Sequence, residues 1–123
     1  MPITRAADAP RFDLPGAQFT VQAAPSLGSK GLCTWRLRLD TSERNDAPHT
    51  LDRDEVFMVL SGTVQLTPDG EKLEAGDSAV VPAGDPIQVR NLGDTDAELY
   101  VAITAGFTGT MADGTTVQPP WAQ

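Results

Sequence analysis

The chain has 123 residues, enough for one packed domain and too few for two ordinary ones. Its 17 acidic and 9 basic residues give a formal charge of -8, and no block of Lys or Arg interrupts that field, which argues against nucleic acid or an anionic membrane as partner. A single cysteine, Cys33, excludes an intramolecular disulfide and a thiolate metal cluster, and reads as a small buried apolar residue. No apolar run approaches a membrane span and no charged segment leads into a hydrophobic core as in a signal peptide, so a cytoplasmic location is the expectation.

Eleven glycines and ten prolines punctuate short apolar runs, which favours many tight turns over long helices. Residues 1–18 hold Pro2, Pro10, Pro15 and Gly16 with little periodicity and read as an N-terminal arm or edge segment. The first clear strand is Leu32 to Asp40, where Cys33, Trp35, Leu37 and Leu39 alternate with Thr34, Arg36 and Arg38. A polar, turn-rich stretch from Thr41 to Pro48 leads to His49. Ser61-Gly62 splits the run from Val56 to Leu66 into two strands, with Glu55, Phe57 and Val59 on one face and Val56, Met58 and Leu60 on the other. Thr67-Pro68-Asp69-Gly70 is a turn, followed by brief strands at Lys72 to Glu74 and Ser78 to Val81. Pro86 to Arg90 is strand-like, and Glu98 to Thr104 is the last strong strand. The tail, residues 108–123, is expected to pack back on a barrel of residues 19–107, because Trp121 is costly to expose in an ordered segment.

Strands at this spacing predict an all-β domain, either a double-sheet jelly roll or a small antiparallel barrel. Two segments sharpen that reading: HTLDRDEVFMVLSG from His49 to Gly62, and the stretch from Gly76 through GDSAVVPAGDPIQVRN to Asn91. They resemble the two motifs of the cupin superfamily. The first motif of that family has a histidine, one residue, a second histidine, a glutamate and a glycine. Here His49, Leu51, Glu55 and Gly62 stand at those positions. In the second motif Gly76, Pro82, Gly84 and Asn91 match, and Ile87 stands where the family has histidine. The resemblance runs from about Leu32 to Ile103 and implies an antiparallel double-sheet jelly-roll barrel, with a homodimer as the expected assembly.

Metal-binding cupins hold iron, manganese, nickel or zinc with three histidines and a glutamate, so the resemblance also raises the question of a metal. Leu51 and Ile87 have no lone pair to donate, and a divalent transition metal held by His49 and Glu55 alone would be weakly bound. No cofactor is therefore expected, with Asp52, Asp54, Asp85 and Gln88 as the nearby alternative donors. His49, the one histidine of the chain, suits proton transfer, and Glu55 could orient it, balance its charge or act as a base if desolvated. These two are the candidate catalytic residues. Trp35, Leu51, Phe57, Ile87 and Tyr100 are the candidate ligand-binding residues, with Leu37, Val59 and Val89 as further interior positions.

A cavity with such walls favours an apolar or aromatic small molecule carrying a polar group. Arg36, Arg38 and Arg90 would reach a carboxylate or enolate only if a bulge turned one inward. The leading reading is a small-molecule enzyme using metal-independent acid/base chemistry, of isomerase, cyclase or lyase type. Its alternatives are a noncatalytic binding or sensor barrel and a weakly metal-dependent cupin enzyme.

Overall fold

The computed structural model describes residues 1–42 and 47–123; part of the polar turn expected over residues 41–48 therefore lies outside the described residues. Twelve strands form among the described residues: β1 (Arg11–Leu14), β2 (Ala17–Ala23), β3 (Leu32–Leu39), β4 (Thr50–Leu51), β5 (Glu55–Ser61), β6 (Thr63–Gln65), β7 (Leu73–Glu74), β8 (Ser78–Val81), β9 (Arg90–Asn91), β10 (Ala97–Thr104), β11 (Gly109–Thr110) and β12 (Thr116–Val117). They build an antiparallel six-stranded sheet in the order β1-β2-β3-β10-β5-β8 and two three-stranded sheets, β12-β11-β4 and β7-β6-β9. The architecture is an all-β double-sheet jelly roll, one of the two that the strand spacing allowed and the one that the motif resemblance implied.

Alternation along the strands decides which side chains are inside. In β3 the buried residues are Cys33, Trp35, Leu37 and Leu39, and in β10 they are Ala97, Leu99, Val101 and Ile103. β10 pairs with β3 on one side and β5 on the other, so Val101 lies opposite both Trp35 and Phe57. The smaller sheets and connecting loops contribute Leu51, Val64, Leu66, Ile87 and Phe107 to the same core cluster. Each fully buried large side chain of this kind contributes about 1.5–3 kcal/mol relative to an exposed one.

Of the two readings of the N-terminal region, arm or edge segment, the structure has the edge segment. β1 and β2 form the edge of the large sheet, and Ala17, Phe19 and Val21 are buried against β3. A boundary at residue 18 thus falls inside β2. Between the expected strand positions 86 and 90, only Ile87 makes a bridge, to His49, and regular pairing begins at β9. Val56 and Met58 are half-buried and Leu60 is exposed, so the reverse face of β5 meets no second apolar layer among the described residues.

Arg36 and Arg38 occupy the outer face. Arg36 pairs with Glu98, and Arg38 donates to Asp96 at 2.6 and 2.9 Å, so neither enters the interior. These ion pairs are substantially exposed and contribute little to stability. Arg90 lies in β9 beside Asn91, away from the inner row of the large sheet.

Two residues of the recognised motifs hold the scaffold. The Asn91 amide donates to the carbonyls of Leu39, Asp40 and Thr95 at 3.3, 3.1 and 2.8 Å, and its oxygen accepts from the Gly93 N–H at 2.9 Å. That clamp ties the end of β3 to the reversal before β10. Gly62 turns the chain from β5 to β6 at φ 84°, where a Cβ would lie 2.8 Å from the Ala97 Cβ and 2.9 Å from its Cα. Both the positive φ and the approach to backbone require glycine. Replacing Gly62 by Ala is expected to destabilise the fold by about 1–3 kcal/mol; a denaturant melt checks this, and an unchanged midpoint contradicts it.

Candidate functional site

Backbone pairing brings the two motif segments together. The His49 N–H donates to the Ile87 carbonyl at 3.0 Å, and the Ile87 N–H returns the bond to His49 at 2.8 Å. Gly84 N–H donates to the Leu51 carbonyl at 2.9 Å, and β5 continues the zipper, with Glu55 opposite Val81. The segment carrying His49 and Leu51 is thereby laid beside the one carrying Ile87.

The result is a cavity of about 110 Å³ against the inner face of the large sheet. β2 supplies Phe19, β3 supplies Trp35 and Leu37, and β5 supplies Glu55 and Phe57. The first motif adds His49 and Leu51, and the second adds Ile87 and Val89. Phe107, Pro119 and Trp121 complete the wall. Six of the seven residues expected at the site on sequence grounds therefore meet here: His49, Glu55, Trp35, Leu51, Phe57 and Ile87.

Tyr100 does not. Its register partners are Arg36 and Met58, so β10 turns it to the outer face, where the Arg36 guanidinium carbon lies 5.9 Å from its ring centroid. The residues missed by sequence reasoning are Phe19, Phe107, Pro119 and Trp121. A signal for Phe19 was present: Ala17, Phe19 and Val21 alternate with Gln18, Thr20 and Gln22 after the Pro15-Gly16 turn. Phe107 and Pro119 lie in irregular segments whose direction no periodicity defines.

Glu55 is the one buried acidic or basic side chain among the described residues, with 5% of its surface accessible. Its register neighbours explain the burial. Ile103 of β10 faces both Cys33 and Glu55, and Val81 flanks Glu55 on the other side, so the carboxyl occupies a row that is otherwise apolar. No side-chain hydrogen bond or ion pair reaches it among the described residues. Desolvation without compensation pushes its pKa up to about 8. Glu55 is accordingly a neutral carboxylic acid near neutral pH, a hydrogen-bond and proton donor instead of an anion. His49 is half-buried and borders the same space.

Among the described residues His49 and Glu55 are the two metal-ligating side chains that line the cavity. Leu51 and Ile87 are buried hydrocarbons with 7% and 2% of their surface accessible, and no group of three His, Cys, Asp or Glu side chains among the described residues is placed to hold an ion. The alternative donors are engaged or turned elsewhere. Asp52 accepts from the Thr108 N–H and Asp54 from the Ala83 N–H, while Asp85 is exposed; neither these nor Gln88 line the cavity. No helix among the described residues is long and apolar enough to cross a membrane.

The chain's fold is similar to several solved structures. The polyketide cyclase RemF from Streptomyces resistomycificus is 15% identical, with a TM-score of 0.73 over 85% of this chain and 79% of that one. A sugar phosphate isomerase of the cupin superfamily from Silicibacter pomeroyi is 21% identical, with a TM-score of 0.73 over 98% and 95%. KdgF from Halomonas sp. is 20% identical, with a TM-score of 0.67 over 83% and 91%. Identities this low carry the fold alone. No curated protein matches by sequence. Residues 35–103, which hold both motif segments and most of the cavity wall, match the cupin domain family, and the chain is therefore a member of the cupin superfamily.

Proposed function

We propose that this cupin is a small-molecule enzyme in which Glu55 is a general acid and His49 the base that works beside it, without a metal. The observation that carries the reading is the unpartnered Glu55 carboxyl in an apolar cavity that His49 also borders. Burying such a group without a partner is unfavourable, and a ligand oxygen would satisfy it. The chemistry that fits is proton transfer next to a carbonyl. The Glu55 acid hydrogen-bonds the carbonyl oxygen while the imidazole takes a proton from the adjacent carbon, and the charge that develops on oxygen is met by the Glu55 proton.

The resulting enol has three outcomes. Return of the proton from the imidazolium to a different carbon is an isomerisation. Loss of a group from the β-carbon, with its proton supplied by the imidazolium, is a lyase reaction. Attack of the enol carbon on a second carbonyl closes a ring. All three share one proton abstraction, so the class is testable before the substrate is known.

The first test follows the exchange of α-protons in small cyclic ketones dissolved in D2O by proton NMR. The wild-type protein is expected to accelerate exchange, and Glu55→Gln and His49→Ala each to lower the rate by about 10²–10⁴-fold. Exchange that survives both substitutions in folded protein contradicts the assignment. A ketone that binds but never exchanges would point instead to a noncatalytic binding barrel.

The pH dependence has a defined sign. Glu55 has its folded pKa raised above the unfolded value, so its protonated form is favoured by the fold. Its contribution to stability is complete below the unfolded pKa, about 4.3, and is lost as pH rises through about 8. Measured by denaturant melts, wild type is expected to lose stability relative to Glu55→Gln across that window, by at most about 5 kcal/mol. A difference that stays flat from pH 5 to about 9 would contradict a neutral Glu55. In the exchange assay, kcat/KM is likewise expected to fall on the alkaline side of about pH 8.

A further inference from the structure

One wall of the cavity is built differently from the others. Most of it stands on paired strands, whereas Pro119 and Trp121 belong to a short C-terminal strap that ends in a single 3-10 turn, Pro120–Ala122. The strap is held by Ala122, which is buried in the core cluster, and by few other contacts. The Trp121 ring stacks on Phe19 with centroids 3.9 Å apart and planes at 15°. The Cys33 thiol donates to the Ala122 carbonyl at 3.4 Å, and the Ser26 N–H donates to the Gln123 carbonyl at 3.1 Å. The remaining bonds there, Ala122 N–H and the Gln123 amide to the Pro119 carbonyl, lie within the strap itself. A thiol is a weak donor, and a single ring stack adds only modestly to the area it buries. By contrast Trp35 and Phe57 are fixed by ladders on both sides.

With the strap docked, space is the limiting quantity. An apolar cavity of about 150 Å³ accepts benzene, so 110 Å³ has room for no more than one small ring. The chemistry of the lining narrows the class further. Among the described residues no Lys or Arg borders the cavity, and its polar groups are His49 and Glu55. A phosphate or carboxylate entering this space would meet a largely apolar wall without a Lys or Arg.

We infer that Trp121 is the size-determining residue of this cavity, and that the ligand accepted with the strap docked is a compact, uncharged carbonyl compound of one small ring or a short chain. This deepens the acid/base reading, on which the carbonyl part rests. The size limit rests on the strap geometry alone. Removing the indole while leaving the ladder-held walls in place opens the cavity toward the strap, so larger ligands gain access without any change at Glu55 or His49.

Cyclopentanone and indanone are the probes, one ring against two, with binding measured by ligand-observed NMR and α-proton exchange recorded on the same samples. Wild type is expected to bind cyclopentanone at least tenfold more tightly than indanone. Trp121→Ala is expected to improve indanone binding by at least tenfold and to erase that preference, with Trp121→Phe between the two. A thermal melt establishes that each variant is folded, and if the alanine variant is not, the phenylalanine variant decides by whether the preference narrows. Equal binding of both ketones to wild type, or a preference unchanged in a folded variant, overturns the inference. Size selection by Trp121 without exchange would remove the catalytic reading and keep the size limit, whereas exchange without size selection would do the reverse. Failure of cyclopentanone to bind wild type overturns the stated ligand class.

Discussion

β10 pairs along its whole length with β3 and, after a bulge at Glu98/Leu99, with β5, and that double pairing decides what faces inward across the centre of the molecule. Trp35, Val101 and Phe57 align in one inner row, and Cys33, Ile103, Glu55 and Val81 in the next. A slip of one residue would exchange the faces, exposing Phe57 and carrying Glu55 to the solvent side. Gly62 and Asn91 protect the register at one end of this arrangement, where β3 and β5 finish and β10 begins. Gly62 allows the chain to leave β5 against Ala97, and Asn91 fixes the reversal that delivers β10.

The same register gives the cavity its electrostatic character. A carboxyl in an apolar row has two ways to lower its energy: it gains a cation or donor, or it keeps its proton. Leu51 and Ile87 line the same cavity as buried hydrocarbons and supply neither cation nor donor. Burial in this row, with Ile103 and Val81 beside it, keeps the Glu55 carboxyl protonated.

How much of this the sequence disclosed depended on whether a local pattern existed. β3, β5 and β10 have uninterrupted alternation, and their inner and outer faces follow from that alternation alone. The glycine, proline and asparagine spacing of the motifs placed His49 beside Ile87 through the family resemblance, not through periodicity. β2 carried the same alternation as β3 but followed a proline-rich segment, which obscured it. Tyr100 could not be oriented because its face depends on register with β3 across a long separation, and that register turns it outward beside Arg36. Trp121 could be expected to pack back because exposure is unfavourable, yet its seat on Phe19 is a tertiary contact between the two ends of the chain.

The most direct measurement is a titration of Glu55 itself, by carbon NMR of the labelled side-chain carboxyl with Glu55→Gln to assign the resonance. The account predicts that the carboxyl remains protonated through neutral pH and ionises at about 8. Ionisation near the ordinary glutamate value of about 4.3 would contradict it, because the cavity would then hold a carboxylate and no acid.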